Sequence, residues 1–203
     1  YSIKILIKGI EQETDESATV WSNNYIDIPV RKIDGGYNTY ILNDASVGDL
    51  DGDGEYEIVV KRLATGGVES SDYHFLDAYE LDGTLLWSVN MGPNIYNDVE
   101  FNFLVWDLDC DGKAEVTLRT SDGFIDGEGN NIGDADNDGI INYRYSISSV
   151  GYRMEGPDYL SILDGESGKE LDRATYIPRG NITDWGRDDG GHRSTKCMFT
   201  VAY

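Results

Sequence analysis

Asp49-Leu50-Asp51-Gly52-Asp53-Gly54-Glu55-Tyr56-Glu57 runs straight into the apolar segment Ile58-Val59-Val60-Lys61. The same form recurs at Asp107-Leu108-Asp109-Cys110-Asp111-Gly112-Lys113-Ala114-Glu115, which runs into Val116-Thr117-Leu118-Arg119. Acids stand at the first, third, fifth and ninth positions, with glycine at the sixth. Such a loop is an oxygen cage for a hard cation, and calcium takes about six to eight oxygens at roughly 2.3–2.6 Å. Without a cation, carboxylates packed this closely repel one another. The bland alternative for the same residues is a pair of acidic Asx turns. On the metal reading the candidate ligand residues are Asp49, Asp51, Asp53, Glu55 and Glu57 in one loop. In the other they are Asp107, Asp109, Asp111, Lys113 and Glu115. The cofactor they point to is Ca2+.

The exits decide the fold class. An EF-hand places a bidentate Glu at position twelve, on a helix. Here position twelve is Val60 or Leu118. The exits are rich in β-branched residues, which favour strands. These are loop-then-strand sites, and their repetition predicts a repeat architecture. After each loop comes a strand and then a hairpin, Phe75 to Trp87 in the first unit and Tyr159 to Leu171 in the second. Asp82-Gly83 and Asp164-Gly165 are the turn signals. Each unit thus offers about four antiparallel strands, one blade of a β-propeller.

The second unit carries extra chain, roughly residues 121–155. That insertion holds a third loop pattern, with Asp134, Asp136 and Asp138 at alternate positions, Gly139 at the sixth and Asn142 at the ninth. Asp122 and Asp126 lie nearby and either join it or make turns. Residues 1–24 read as the tail of a preceding β domain or a linker, with a strand from Ser2 to Lys8 and a polar acidic turn from Gln12 to Ser17. Tyr25–Val30 alternates as a strand opening the main domain, residues 25–203. The final segment from Met198 to Tyr203 is similar to Phe103-Leu104-Val105-Trp106, so a third unit would begin there. A closed propeller needs at least four blades. The rest is expected from the same polypeptide or another.

The chain has 203 residues, enough for a real core. Its formal charge of −22 excludes the basic stripe of a nucleic-acid binder. No stretch approaches the roughly 18 apolar residues of a membrane span. Cys110 and Cys197 are either bridged or two reduced thiols. Loops of weak to moderate affinity suit extracellular calcium, so a secreted protein is expected.

Asn43-Asp44 with the loop that follows, the hairpin Leu76–Trp87, Asp111–Val116, and Tyr176-Ile177-Pro178-Arg179-Gly180-Asn181 with Trp185-Gly186 closely resemble bacterial rhamnogalacturonan lyases of polysaccharide lyase family 11. The resemblance covers about residues 19–203. It implies an eight-bladed, calcium-stabilised propeller that cleaves pectic rhamnogalacturonan, an acidic plant cell-wall polysaccharide, by β-elimination. It also implies that Asn43 contacts substrate and that Asp44 joins the first loop's ligands. Two positions depart from the family. Arg62-Leu63 stand where it usually has a Trp-Asp pair, and Asp98–Asn102 where it tends to carry a His-Tyr-Thr-type run. The family's basic catalytic residues would lie beyond Tyr203, so the catalytic residues are unknown here.

β-Elimination needs the uronate carboxylate neutralised, a base for the C5 proton, and a stabilised leaving oxygen. The cationic candidates are Lys61, Arg62, Arg119, Arg179, Arg187, Arg193 and Lys196. Arg62 is favoured for substrate binding because it follows the blade strand near the expected cleft. His74 reads as structural or exposed, and His192 as part of a polar surface loop that also suits a ligand. Trp87 and Trp106 read as core, while Trp21 and Trp185 read as core or as sugar-stacking. Two rivals accompany the lyase reading. One is a non-catalytic module that binds plant polysaccharide. The other is a calcium-stabilised propeller for protein contacts.

Overall fold

The computed structural model of the chain describes residues 2–7, 10–17, 25–33, 40–66, 72–97, 101–177, 180–185, 190–195 and 200–201. β1 (Ser2–Ile7) and β2 (Ile10–Ser17) pair as a two-stranded antiparallel sheet. β3 (Tyr40–Gly48), β4 (Glu57–Ala64), β5 (Phe75–Tyr79) and β6 (Leu85–Asn90) then lie side by side in chain order. β7 (Phe103–Trp106), β8 (Glu115–Thr120), β9 (Tyr159–Leu163) and β10 (Glu170–Thr175) repeat that arrangement. Every neighbouring pair is antiparallel. The all-β class and the two four-stranded antiparallel units therefore stand as read from the sequence. Helix among the described residues is confined to short 3-10 turns, such as Arg144–Ser146 and Ile182–Trp185, and one turn of α-helix, α1 (His192–Thr195).

β4 shows why a strand forms with almost no polar alternation. Both of its faces are covered, and strands buried on both sides read as near-continuous apolar runs. Val59 and Leu63 face the second sheet with Leu76, Ala78, Trp87 and Val89. They meet Val105, Val116, Leu118 and Leu163, so the core is the layer between the two sheets. Each valine or leucine among them, fully buried, contributes about 1.5–3 kcal/mol relative to exposure. The opposite face of β4 carries Arg62, and the extended segment at residues 25–33 lies over it. Arg31 makes a two-point ion pair with Asp77 of β5 at 2.9 and 3.0 Å, and its backbone N–H donates to the Tyr79 hydroxyl.

The meander topology puts both aspartate loops and both hairpin turns at one end of the sheets. They are in direct contact there. Ala114 N–H of the second loop donates to the Asp49 carbonyl at 2.7 Å. The Trp87 indole donates to the Gly165 carbonyl at 2.6 Å. A Cβ on Gly165 would stand 2.0 Å from the Ala114 carbonyl oxygen and 2.9 Å from that of Leu50, so only glycine fits between the loops. The insertion leaves from the other end, between β8 and β9. Asn94, fully buried in the β6–β7 connection, fastens it: its amide donates to the carbonyls of Asp122 and Ile141 at 2.8 and 2.9 Å, and its oxygen accepts from Tyr143 N–H at 2.9 Å.

Three expectations fail. Gln12–Ser17 is the body of β2 rather than a turn, because β1 supplies its ladder partners, with Lys4 opposite Glu13. Tyr25–Val30 is not a strand; it is the start of the extended cover that binds the sheet through Arg31. Trp106 is not core: strand alternation turns Val105 inward and leaves Trp106 at 49% exposure. Trp87 is core, as expected. Cys110 is a free, exposed thiol. Trp21, Cys197 and most of Met198–Tyr203 lie outside the described residues.

Two substitutions test these contacts. Gly165→Ala forces overpacking against backbone and is expected to destabilise by about 1–3 kcal/mol. Asn94→Ala leaves a buried amide and two carbonyls without partners and should cost at least about 2 kcal/mol. Urea unfolding midpoints of the complete protein read both, and an unchanged midpoint for Gly165→Ala contradicts the loop contact.

Candidate metal centre

All three aspartate loops share one backbone. Their fourth positions are left-handed at Gly52 (φ 81), Cys110 (φ 65) and Asn137 (φ 62). Their sixth positions are left-handed at Gly54 (φ 91), Gly112 (φ 96) and Gly139 (φ 89). The first carboxylate drives this curl by accepting two backbone N–H groups. Asp49 accepts from Gly52 and Gly54 at 2.7 and 3.0 Å, Asp107 from Asp111 and Gly112 at 3.1 Å each, and Asp134 from Asp138 and Gly139 at 3.1 and 2.9 Å. The third and fifth acids each accept one N–H through a single oxygen, as Asp51, Asp53, Asp109, Asp111, Asp136 and Asp138 show. At positions three and five, one oxygen is thus held by backbone; in Asp138 the other also accepts, from the Tyr143 hydroxyl at 2.7 Å.

The ninth acid closes the loop. Glu57 accepts from Leu50 N–H at 2.6 Å and Glu115 from Leu108 N–H at 2.8 Å. Burial pushes both carboxyls up from the ordinary glutamate range, the amide bond pulls them back, and nearby acids push them up again, Glu80, Asp51 and Asp49 for Glu57 and Asp109 and Asp111 for Glu115. The third loop differs here. Its ninth residue, Asn142, accepts from Arg144 N–H at 3.0 Å instead.

Carboxylate oxygens converge to within 4.8 Å of one another in three groups: Asp49, Asp51 and Asp53; Asp107, Asp109 and Glu115; Asp122, Asp134 and Asp136. All the donors are hard oxygens, the chemistry calcium selects. Lys113, the lone lysine of the loops, turns its ammonium to Glu166 at 2.8 Å, so only its backbone carbonyl is suited to a cation. Glu55 is exposed and stands outside these groups. The residues fit a divalent ion, which would supply positive charge against the mutual repulsion of the acids.

The structure also separates the two nearby aspartates. Asp126 is saturated, accepting from Glu128, Asn130 and Glu170 backbone N–H groups and from the Asn130 amide. It makes a turn. Asp122 instead joins the converging oxygens of the third group, a placement that its position two residues past β8 hints at only weakly.

Two expected site residues are corrected. Asp44 does not join the first loop. It lies in β3, about 15 Å along an extended strand from Asp49, and bonds the buried Lys61 ammonium at 2.9 Å. Arg62 does not reach a cleft. It is 4% exposed, and it donates to Asp77 and Tyr79 at 3.1 Å each and to the Arg31 carbonyl at 3.0 Å. Strand alternation explains this, since Arg62 shares a face with Val60 rather than with Lys61. Leu63 is core. Burial also pushes the Tyr79 hydroxyl up to about 12, with Asp77 adding to the shift.

Asn43 is exposed at the bulge where the β3–β4 register shifts. Arg119 is buried and ion-paired with Asp158, which also pairs with Arg153. Arg193 is exposed and donates to the Trp185 carbonyl at 3.2 Å. His74 is structural: it accepts from Ala64 N–H at 2.9 Å and stacks on Phe101. His192 is half-buried against Tyr152. Arg179, Arg187 and Lys196 lie outside the described residues, as do Asp98 to Glu100.

Comparison with known proteins bears on this arrangement. Residues 25–203 match the model described as rhamnogalacturonan lyase family 11, C-terminal domain. The whole chain aligns at 41% identity with rhamnogalacturonan endolyase YesW and at 39% with rhamnogalacturonan exolyase YesX, both of Bacillus subtilis (strain 168). It spans 34% of the length of each. Among solved structures, that of YesW matches with a TM-score of 0.69 at 40% identity, over 94% of this chain and 34% of that one. The exotype lyase YesX matches with a TM-score of 0.71 at 38% identity, over 95% and 33%. Bacillus licheniformis rhamnogalacturonan lyase PL11 matches at 0.68 and 38%, over 94% and 34%.

Calcium at about a hundred times its dissociation constant is expected to add about 2.7 kcal/mol per site. A chelator should therefore lower the melting temperature of the complete protein, and an identical melting curve in calcium and chelator counts against bound ions. Glu57→Ala should cost about 2 kcal/mol even without calcium, because it strands the buried Leu50 N–H. Glu55→Ala, at an exposed position, should stay within about 0.5 kcal/mol. Chemical denaturation in chelator compares the two.

Proposed function

The chain belongs to rhamnogalacturonan lyase family 11, and from that membership we propose that it supplies two adjacent blades of a calcium-stabilised β-propeller in a secreted lyase. The complete protein would cleave pectic rhamnogalacturonan by β-elimination. The observation that carries the reading is the family match over residues 25–203, joined to two four-stranded meanders whose first strands, β3 and β7, touch each other. Strands that follow one another outward from a shared inner edge are the pattern of propeller blades.

The face logic of the two sheets supports the same arrangement. The first sheet presents Val59 and Leu63 to its neighbour, while the second answers with Val116 and Leu118. Counted from their loops, these are opposite parities, as expected when each blade stacks its forward face on the rear face of the next. Ile41, Leu42 and Val47 of β3 are each more than half exposed. Further blades around a common axis would cover such an inner strand.

Calcium in the aspartate loops would hold the connections between first and second strands at one end of the blades. Lys61, Arg62 and Arg119 are buried and bonded to acids, which leaves their positive charge committed. Asn43, exposed on β3, is the residue we assign to substrate contact. The base and the group that neutralises the uronate would come from the remainder of the polypeptide.

The complete protein, incubated with rhamnogalacturonan in calcium, should produce ultraviolet absorbance from the unsaturated uronate end. Binding without absorbance would favour a non-catalytic polysaccharide module, and neither signal would refute the polysaccharide reading. Asn43→Ala should weaken substrate binding by about 1 kcal/mol, roughly fivefold, with little change in melting temperature.

A further inference from the structure

Resting on the rhamnogalacturonan reading above, we propose that the cavity where the insertion rejoins the second sheet is an accessory subsite for a neutral sugar of the polysaccharide, with Tyr145 as its stacking platform. The cavity has a volume of about 570 Å³, inside the range of about 300–1,000 Å³ of small-molecule sites. Met154, Glu155 and Pro157 line it from the end of the insertion, and Tyr176, Ile177 and Asn181 from the chain after β10. β8 ends and β9 starts at this end of the sheet, so the cavity lies away from the aspartate loops. It also lies on the β9–β10 side of the second sheet, whereas Asn43 stands on β3 of the first. A sugar held here belongs to a part of the polymer other than the unit at Asn43.

Tyr145 is 63% exposed, yet its ring is fixed. Its hydroxyl donates to Glu155 Oε2 at 2.9 Å, which ties the ring to the edge of the cavity. The ring rests at a tilt on that of Tyr143, with centroids 6.1 Å apart. The chain beneath is held as well. The Ser146 hydroxyl accepts from Glu155 N–H at 3.1 Å and donates to the Tyr143 carbonyl at 2.8 Å, and the Ser146 carbonyl accepts from Met154 N–H at 3.2 Å. Gly156 lets the wall run this close: a Cβ there would stand 2.5 Å from the Tyr143 ring. Behind it, Asp158 is held between Arg119 and Arg153. An exposed aromatic face that is already oriented loses little side-chain freedom when a ligand stacks on it.

The lining selects the kind of sugar. No cationic side chain among the described residues lines the cavity, while Glu155 and Asp158 are acidic. Asp158 is committed to its two arginines. Glu155 is exposed, and its Oε1 makes no hydrogen bond among the described residues, so it is open to a hydroxyl donor. A galacturonate carboxylate would be repelled there. The rhamnose units of the backbone carry no charge, and their 6-deoxy methyl group suits Met154 and Ile177, the latter 81% exposed. Asn181 adds a polar amide on the same side as Ile177.

The complete protein and its variants Tyr145→Ala and Ile177→Asn are titrated calorimetrically with long rhamnogalacturonan oligosaccharides. Each variant should bind about fivefold more weakly, the worth of one aromatic or apolar contact. Ile177→Asn alters an exposed side chain, so it should melt with the parent, and its loss of affinity then reads the contact and not unfolding. Leu171→Ser, at an exposed position of β10 outside the cavity, should bind as the parent does. Tyr145→Ala combined with Asn43→Ala should show the product of the two separate losses, as independent sites do. Saturation-transfer NMR with free rhamnose and free galacturonate names the sugar: the signal that Tyr145→Ala loses should be that of rhamnose. Unchanged affinity in Ile177→Asn, or in a Tyr145→Ala that melts with the parent, overturns the proposal. So does an equal loss in Leu171→Ser, or a lost signal that belongs to galacturonate. A combined loss no greater than that of Asn43→Ala alone overturns the separate subsite. A parent that binds no rhamnogalacturonan refutes the underlying substrate reading instead.

Discussion

Backbone amides donating to the first carboxylate of each aspartate loop organise this chain. Two N–H groups bind the oxygens of Asp49, Asp107 or Asp134, and the loop curls so that alternate acids turn toward a common centre. The curl requires left-handed backbone at the fourth and sixth positions. Glycine meets that need without strain at four of the six places in question; at the other two, the fourth positions Cys110 and Asn137, a side chain is carried through the same conformation at some cost. Once curled, each of the first two loops releases the chain directly into a strand.

Those two loops then do more than connect strands. They meet across the sheets, with Ala114 donating to Asp49 and the Asp164-Gly165 turn wedged against both. The contact sets the relative placement of β4 and β8, and so decides which faces of the two sheets bury Val59, Leu63, Val116 and Leu118. A formal charge of −22 gathered partly at this end works against compaction. The loops are therefore where a cation would have the greatest effect on the stability of the whole.

Polar groups inside the sheets follow a second rule. Each four-stranded unit contains a buried aspartate flanked by two arginines, Arg31–Asp77–Arg62 in one and Arg119–Asp158–Arg153 in the other. In both, one arginine comes from the second strand of the sheet and the other from irregular chain laid over it. Buried charges persist when paired and hydrogen-bonded, and here the pairing fastens irregular segments to regular sheet. The same commitment removes these arginines from any substrate surface. Asn43, exposed on β3, is not committed in this way and is the residue proposed above for substrate contact.

Local chemistry determined the parts of this protein that depend only on neighbours in sequence. Acid spacing, β-branched exits and Asp-Gly turns specify the loops, the strands and the hairpins, because turn geometry and strand propensity act over a few residues. The long motifs from Asn43 to Asn181 carried the family in the same way. Tertiary structure alone decided where side chains point and which distant groups meet. Arg62 reads as a cleft residue until pleat alternation and the cover segment bury it. Asp44 reads as a loop ligand until Lys61 claims it. Asp122 and Asp126 are indistinguishable in the sequence, yet one is saturated by its own turn and the other is brought to Asp134 by the packing of the insertion against β9. Pairings of that kind span tens of residues, and only the closing of the core brings them together.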